Sequence, residues 1–272
     1  MDVVSLGYRT DLALLQLGGP SVEDRGDHLV VRSPHNPTHW WGNFLLIRSV
    51  PAPDDAELWV ERHAAAFPDA RHLSLGVDGT AGTVDDMSGF SALGLTVEAQ
   101  TVMTATSVRS DGPHPDAECR LLTSEDDWRQ YVELNVRCAD RGDPALHRPF
   151  AEARARTHRR LVEAGHGGWF GAFVDGRLAC QMGLFSASPG LARFQSVETD
   201  PDFRRRGIAR ALVQHVSRYG FEQLSAETLV MVADPEYFAI DLYRSVGFAA
   251  TEAQLQAARP PAGPSPRTEE QS

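Results

Sequence analysis

The stretch from Ser196 to Leu212 constrains the architecture of this chain more than any other. A strand stops at Asp200-Pro201. A turn, Arg204-Arg-Arg-Gly207, follows, and then an amphipathic helix with Ile208, Leu212, Val213 and Val216 on one face. The helix reads from 206 to 219, with a strand at 228–233, a helix at 236–245 and a last strand from Phe248 behind it. Ahead of it come a strand at 119–122, a helix from Ser124 to about Cys138, and a second helix at 150–164 ended by Gly165. Three strands at 169–174, 178–185 and 193–199 come next, separated by Asp175-Gly176 and Ser188-Pro-Gly190, both good hairpin punctuation. An antiparallel meander that runs into β-α-β-α-β predicts an α+β fold with a mixed, mostly antiparallel central sheet flanked by helices.

The first half is less regular. Segments 28–32 and 43–48 read as strands joined by a loop that holds Trp40 and Trp41. Residues 54–67 read as a helix, with Asp54 and Glu57 as a capping box and Pro68 as its stop. Strands are expected at 71–77 and 101–108, with a short helix between them that ends near Gly94. The breaker-rich run from Arg109 to Asp116 reads as a linker, and the residues after Arg259 lack apolar content and read as a disordered tail. The expected division is 1–112, a linker at 113–118, a second domain at 119–258 and a tail at 259–272.

The formal net charge of -11 argues against nucleic acid as a partner, since phosphate backbones recruit basic surfaces. It suits a cationic acceptor, or simply solubility. Cys119, Cys138 and Cys180 have neither metal-ligand nor redox-motif spacing, which fits a reducing compartment. His35 and His39 lie four residues apart, but Asn36-Pro37 between them disfavours a helix, and no metal site is expected. The first residues make neither a convincing signal peptide nor a membrane span, so the expectation is a cytoplasmic protein without a membrane partner.

Against that acidic background the turn at Arg204, Arg205, Arg206 and Gly207, with Arg210 one turn on, concentrates positive charge at a helix start. Free backbone N–H groups and the helix dipole at such a place favour a pyrophosphate. Gly207 allows close backbone approach, and Ala209 keeps the next turn uncrowded. The plain alternative is a solvated basic helix start.

Two motifs in order, Arg204-Arg-Arg-Gly-Ile-Ala209 and Ala239-x-x-Leu242-Tyr243-x-x-x-Gly247-Phe248, resemble the two signatures of the GNAT (GCN5-related N-acetyltransferase) superfamily. The resemblance runs from about Cys119 to Leu255 and implies acetyl-CoA as co-substrate and a primary amine, on a small molecule or a peptide, as acceptor. It implies that the strands at 193–199 and 228–233 splay apart. Main chain near Val197 and Thr199 would pair with the pantetheine arm, and Arg204, Arg205, Arg206, Gly207, Ile208, Ala209 and Arg210 would cradle the pyrophosphate. Tyr243 matches the tyrosine that serves as general acid, against the reading of a core tyrosine beside Leu242 and Val246. Glu198, whose side chain should point away from Val197 and Thr199, is either the general base or a solvated edge carboxylate. Glu236 is a second candidate base and stands where many relatives have asparagine. A CoA-binding sensor that performs no chemistry is the competing reading.

Phe90-Ser-Ala-Leu-Gly-Leu95 echoes Tyr243-Arg-Ser-Val-Gly-Phe248, which suggests a tandem arrangement with a degenerate first copy. There the turn is Pro51-Ala-Pro-Asp-Asp55, acidic and without glycine, and Phe90 has no hydroxyl. An unrelated α+β domain is the alternative. The chain would be a monomer with pseudo-dimeric halves or a homodimer.

Overall fold

The structure, a computed structural model, describes residues 1–34, 36, 39–109, 116–139, 144–236 and 239–260. The expected tail from 261 on, most of the expected linker and His35 lie outside these residues. In chain order the elements are α1 (Leu6–Leu17), β1 (Ser21–Asp24), β2 (His28–Arg32), β3 (Phe44–Ile47), α2 (Ala56–Ala66), β4 (Leu73–Val77), α3 (Ser88–Ala92) and β5 (Thr96–Ala105). Then follow β6 (Glu118–Leu121), α4 (Glu125–Cys138), α5 (Pro144–Glu163), β7 (Gly167–Val174), β8 (Arg177–Ser188), β9 (Leu191–Thr199), α6 (Ile208–Glu222), β10 (Thr228–Ala233), α7 (Ala239–Val246) and β11 (Ala249–Arg259).

These elements form two compact units. Among the described residues, one comprises 1–9, 19–100 and 252–260, and the other comprises 10–18 and 101–251. In the first, β1, β2 and β3 form an antiparallel meander, β4 lies parallel to β3, and β11 closes on β4 antiparallel. In the second, β6, β7, β8 and β9 form the meander, β10 lies parallel to β9, and β5 closes on β10 antiparallel. Apart from one additional outer strand, β6, in the second unit, the strand order is the same, which makes the fold a tandem of two GNAT-like units rather than a GNAT unit joined to an unrelated domain. The closing strands are exchanged along the chain, since β5 passes into the second unit at Thr101 and β11 passes back at Glu252. The compact units are therefore interleaved, unlike the consecutive segments 1–112 and 119–258 expected from sequence.

Each unit has its own apolar centre. Leu45, Leu75, Met87, Phe90 and Leu255 meet in the first. In the second, Met182, Leu184, Phe194, Leu212 and Val246 pack on one face of the sheet, and Trp128, Tyr131, Leu134, Trp169 and Phe185 on the other. β8 supplies both layers, with Met182 and Leu184 in one and Leu178 and Phe185 in the other.

Three local expectations change. The chain before residue 25 folds into α1 and β1, which were not foreseen. Asp54 and Glu57 do not form a capping box. Pro53 is pre-set for a tight turn, so Pro53–Asp55 is a 3-10 turn and α2 begins at Ala56, with no side-chain cap bond from Asp55. The strand foreseen at 101–108 begins earlier and ends at Ala105. Ser124 does cap α4. Its hydroxyl accepts from Asp127 N, and the Asp127 carboxylate accepts from the amides of Thr123 and Ser124 and from Arg120 at 2.8 Å. Arg120 above all holds the buried Asp127 carboxyl well below the usual carboxylate range.

Candidate active site

The site lies wholly in the second unit, where β9 and β10 part. Their parallel register runs from Leu191↔Thr228 to Arg193↔Val230 and then stops. β10 continues beside β5 as far as Ala233↔Thr101, and β9 continues beside β8 as far as Thr199↔Cys180. Beyond Arg193 the two parallel neighbours thus no longer share a ladder, which is the splay the resemblance implies. The pairing of β9 with β8 is also irregular. Register passes from Gln181↔Glu198 to Gly183↔Gln195, so Ser196 and Val197 together oppose Met182. Ser196 takes φ 43°, a left-handed conformation that costs a non-glycine residue free energy and marks a β-bulge.

The bulge sets which way the side chains face. Val197 packs toward the Phe194, Ile208 and Tyr243 layer. Glu198 faces α4 and α5, on the side opposite Val197, as the alternation predicts. Its carboxylate is only 18% exposed, and the solvated-edge reading gives way to a held group. Oε1 accepts from Asn135 Nδ2 and Oε2 from Gln181 Nε2, both at 2.7 Å. Arg154 of α5 lies 4.0 Å away and bonds the Ser196 hydroxyl. His147 Nε2 is 3.0 Å from Asn135 Oδ1. Glu236, by contrast, is exposed, and its amide closes a turn on Asp234.

At the end of β9 the Thr199 carbonyl is already engaged. It accepts from Arg204 Nε at 3.1 Å and from the Cys138 thiol at 3.5 Å, while the Thr199 hydroxyl donates to Cys180 Sγ. Burial first, then Glu198, pushes the Cys138 thiol up to about 11; burial pushes Cys180 up to about 12. Asp200, 1% exposed, anchors the turn that follows. It accepts from Asp202 N at 3.0 Å, Arg137 Nε at 2.9 Å and Arg177 at 2.8 Å. Burial alone would raise its carboxyl, but the Asp202 amide and the two guanidinium groups outweigh that and hold it low.

The turn carries two left-handed residues, Arg205 at φ 60° and Gly207 at φ 76°. Left-handed residues in such turns gather main-chain N–H groups into anion-binding concavities. Gly207 is the N-cap of α6, so the amides of Ile208, Ala209 and Arg210 begin the helix without intrahelical acceptors. The first turn of α6 has no acidic residue, and a Cβ placed on Gly207 would meet nothing within 4 Å. This is open space beside a helix start whose amides lack intrahelical acceptors, the kind of place that favours an anion. The arginines differ among themselves. Arg204, Arg205 and Arg206 are exposed, but Arg204 is folded onto Thr199 and Arg206 lies over the Phe203 ring at 5.1 Å. Arg210 is half-buried and donates to Ser245 on α7 at 3.3 Å, so it ties the two helices together.

Tyr243 is 5% exposed, its ring 6.5 Å from Phe248, inside the layer that Val197 also contacts. The structure thus gathers Val197, Tyr243 and the α6 start on one face and Glu198 on the other. Sequence reasoning missed Asn135, Gln181, His147, Arg154 and Asp200. Two of them carried a signal: Gln181 is a lone amide within an apolar strand, and Asn135 interrupts Leu134 and Val136 on a buried helix face. A separate cavity of about 180 Å³, lined by Asp116, Glu118, Phe173 and Asp175, holds none of these residues.

A parallel pair that opens next to an arginine-flanked helix start is the arrangement that the GNAT resemblance implies. Residues 128–248, all within the second unit, match the Acetyltransferase (GNAT) family. A structure from Staphylococcus epidermidis, a conserved protein of unknown function, covers 89% of this chain and 95% of its own at 13% identity, with a TM-score of 0.68. A GCN5-related N-acetyltransferase from Kribbella flavida covers 94% and 97% at 16% identity, with a TM-score of 0.63. A tandem GNAT protein from the clavulanic acid biosynthesis pathway covers 93% and 88% at 14% identity, with a TM-score of 0.54. At these identities the likeness is one of fold. No curated protein matches the chain in sequence. Among the described residues no helix is long and apolar enough to cross a membrane, and no group of residues could hold a metal ion.

Proposed function

We propose that the second unit transfers an acetyl group from acetyl-CoA to a primary amine by direct attack of the amine on the thioester. The observation that carries this reading is the loss of β9–β10 pairing after Arg193, next to the open, amide-lined space at Gly207. An extended pantetheine arm suits the unpaired edge of β9 at Val197, and a diphosphate suits the turn from Arg205 to Ala209. Aligning two substrates in this way supplies much of the rate, and a base and an acid complete the chemistry. Glu198 takes the base role, because its acceptor-only carboxylate is fixed by two amides and faces the side away from Val197. Tyr243 takes the acid role toward the departing thiolate. Direct attack is favoured over an acyl-cysteine route because the thiols of Cys138 and Cys180 are both pushed up, away from the nucleophilic thiolate form.

The test is thiol release from acetyl-CoA against a panel of primary amines: polyamines, aminoglycosides, amino acids and peptides. The chain contains no lysine, so apart from its own N-terminal amine any acetylated amine is the added acceptor. Tyr243→Phe should abolish most turnover and leave acetyl-CoA affinity unchanged. Tight acetyl-CoA binding without thiol release from any amine would make the unit a sensor instead.

A further inference from the structure

Glu198 is held by a chain of side chains that reaches beyond the sheet. Asn135 sits in the last turn of α4, 3% exposed, between the buried Leu134 and Val136. Both ends of its carboxamide are engaged: Nδ2 with Glu198 Oε1 at 2.7 Å, and Oδ1 with His147 Nε2 at 3.0 Å. An amide oxygen offers only lone pairs, so His147 carries a proton on Nε2 and donates it. The chain therefore has one polarity, from His147 N–H to Asn135 oxygen and from Asn135 N–H to Glu198 oxygen. Each link polarises the next. Gln181 holds the other carboxylate oxygen from β8 and also donates to the Tyr131 carbonyl of α4. Arg154, the nearest cation, is bonded to the Ser196 hydroxyl and stays 4.0 Å from Glu198, outside hydrogen-bond range. Packing alone does not call for an amide here, since an apolar side chain at 135 would join Leu134 and Val136 without needing partners.

We infer that Asn135 and His147 are positioning residues that aim the Glu198 carboxylate at the acceptor amine. This rests on the base role proposed for Glu198. Three elements converge on one carboxylate: α5 through His147, α4 through Asn135 and β8 through Gln181. A base fixed in this way loses no time or entropy finding the amine proton.

The experiment uses the full chain with acetyl-CoA and the amine that turns over fastest in the panel. Asn135→Ala should lower kcat by about tenfold or more and leave acetyl-CoA affinity within about twofold. In an E198Q background it should add nothing further, because groups that act as a unit are non-additive. His147→Phe should reproduce part of the loss, and His147→Gln, which keeps an N–H donor, should restore it without touching α4. Side-chain amide NMR gives a readout that needs no acceptor: His147→Phe shifts the Asn135 resonances and spares those of Gln181, whereas E198Q shifts both. Additive losses in the double variant, or a loss that appears in acetyl-CoA affinity, overturn the inference while the transfer reaction stands. If E198Q keeps wild-type kcat, or the wild-type chain releases no thiol, the base or transfer reading fails first and this inference goes with it.

Discussion

The two units perform the same strand-helix-strand turn and reach opposite results. In the first, β3 pairs with β4 from Leu45↔Leu75 to Ile47↔Val77, the last residue of each strand, and Asp78 N then bonds Ile47 O at 2.8 Å. The pair is sealed to its end, and Tyr8 lies so close to Gly76 that an added Cβ would clash with its ring. In the second, β9 runs on from Arg193 to Thr199 without β10. The helix starts differ as well. α2 follows a proline turn with Asp54, Asp55 and Glu57 around it, which suits a helix dipole and repels phosphate. α6 starts at a left-handed glycine behind three exposed arginines. The corners after the second helix match in geometry: Leu95 N bonds Phe90 O, and Phe248 N bonds Tyr243 O, both at 3.1 Å. A fold can keep its corners and lose its slot, and the slot depends on a short list of residues around the bulge and the turn.

The strongest way to break this contrast is by charge. Reversing Arg205 and Arg206 to Glu together should weaken acetyl-CoA binding by about a hundredfold or more, since charge-assisted contacts to phosphate are the strong ones. Neutralising Asp54 and Asp55 should leave both affinity and a stoichiometry of one unchanged, because the β3–β4 pair stays shut. Calorimetry reads both. A second equivalent bound after the acids are removed would show that charge alone, and not the closed pair, silences the first unit.

How much of this contrast could be read from sequence follows from what sequence encodes locally. The Arg204 to Gly207 turn, the amphipathic α6 and the hairpin at Asp175-Gly176 are local, and they stand where expected. The Phe90 and Tyr243 corners also matched, because a helix-glycine-strand corner is a local device. The exchange of β5 and β11 was not legible, since strand partners more than a hundred residues apart leave no pattern in either strand. The bulge at Ser196 was equally hidden, because serine carries no sign of a left-handed backbone. The facing of the Glu198 side chain followed from alternation, but its partners on α4 and α5 needed tertiary packing to appear.

Buried histidines give a smaller effect that separates the units. His63 in the first unit is 2% exposed and receives the Ser74 amide on Nε2 at 3.3 Å, which only an unprotonated ring nitrogen accepts. Burial, then the neighbouring His72, lowers it from 6.5 to about 4. The unfolded chain therefore takes up a proton that the folded unit refuses. Stability is full above about pH 6.5 and falls as the pH drops toward 4, by roughly 3 kcal/mol at most. Hydrogen exchange of the β3 and β4 amides against pH should follow this window, and His63→Gln should flatten it. Asp27, lowered to about 2 chiefly by Arg62, gives up its contribution only at more acidic pH. In the second unit His158 is buried against Trp169 and is likewise held low by burial, so the β7 and β8 amides should lose protection on acidification independently of His63. A slope in β7 and β8 that disappears with His63→Gln would mean that the two units do not titrate separately.

The finest test compares two glycines with almost the same backbone. Gly207 has φ 76° and Gly94 has φ 77°, and an added Cβ would meet nothing within 4 Å at either. Alanine therefore costs each position backbone strain and little else, about 1 kcal/mol. Melting temperatures of Gly94→Ala and Gly207→Ala should fall by similar small amounts. Acetyl-CoA affinity should not move together. At Gly94 the methyl group faces empty solvent beside α3 of the sealed unit, and binding should be unchanged. At Gly207 it enters the space proposed for the pyrophosphate, so affinity should drop by several-fold beyond what the strain explains. If the two variants lose stability equally and bind acetyl-CoA equally well, the open space at the start of α6 is not where the diphosphate sits, and the difference between the units has to be sought along the unpaired edge of β9 alone.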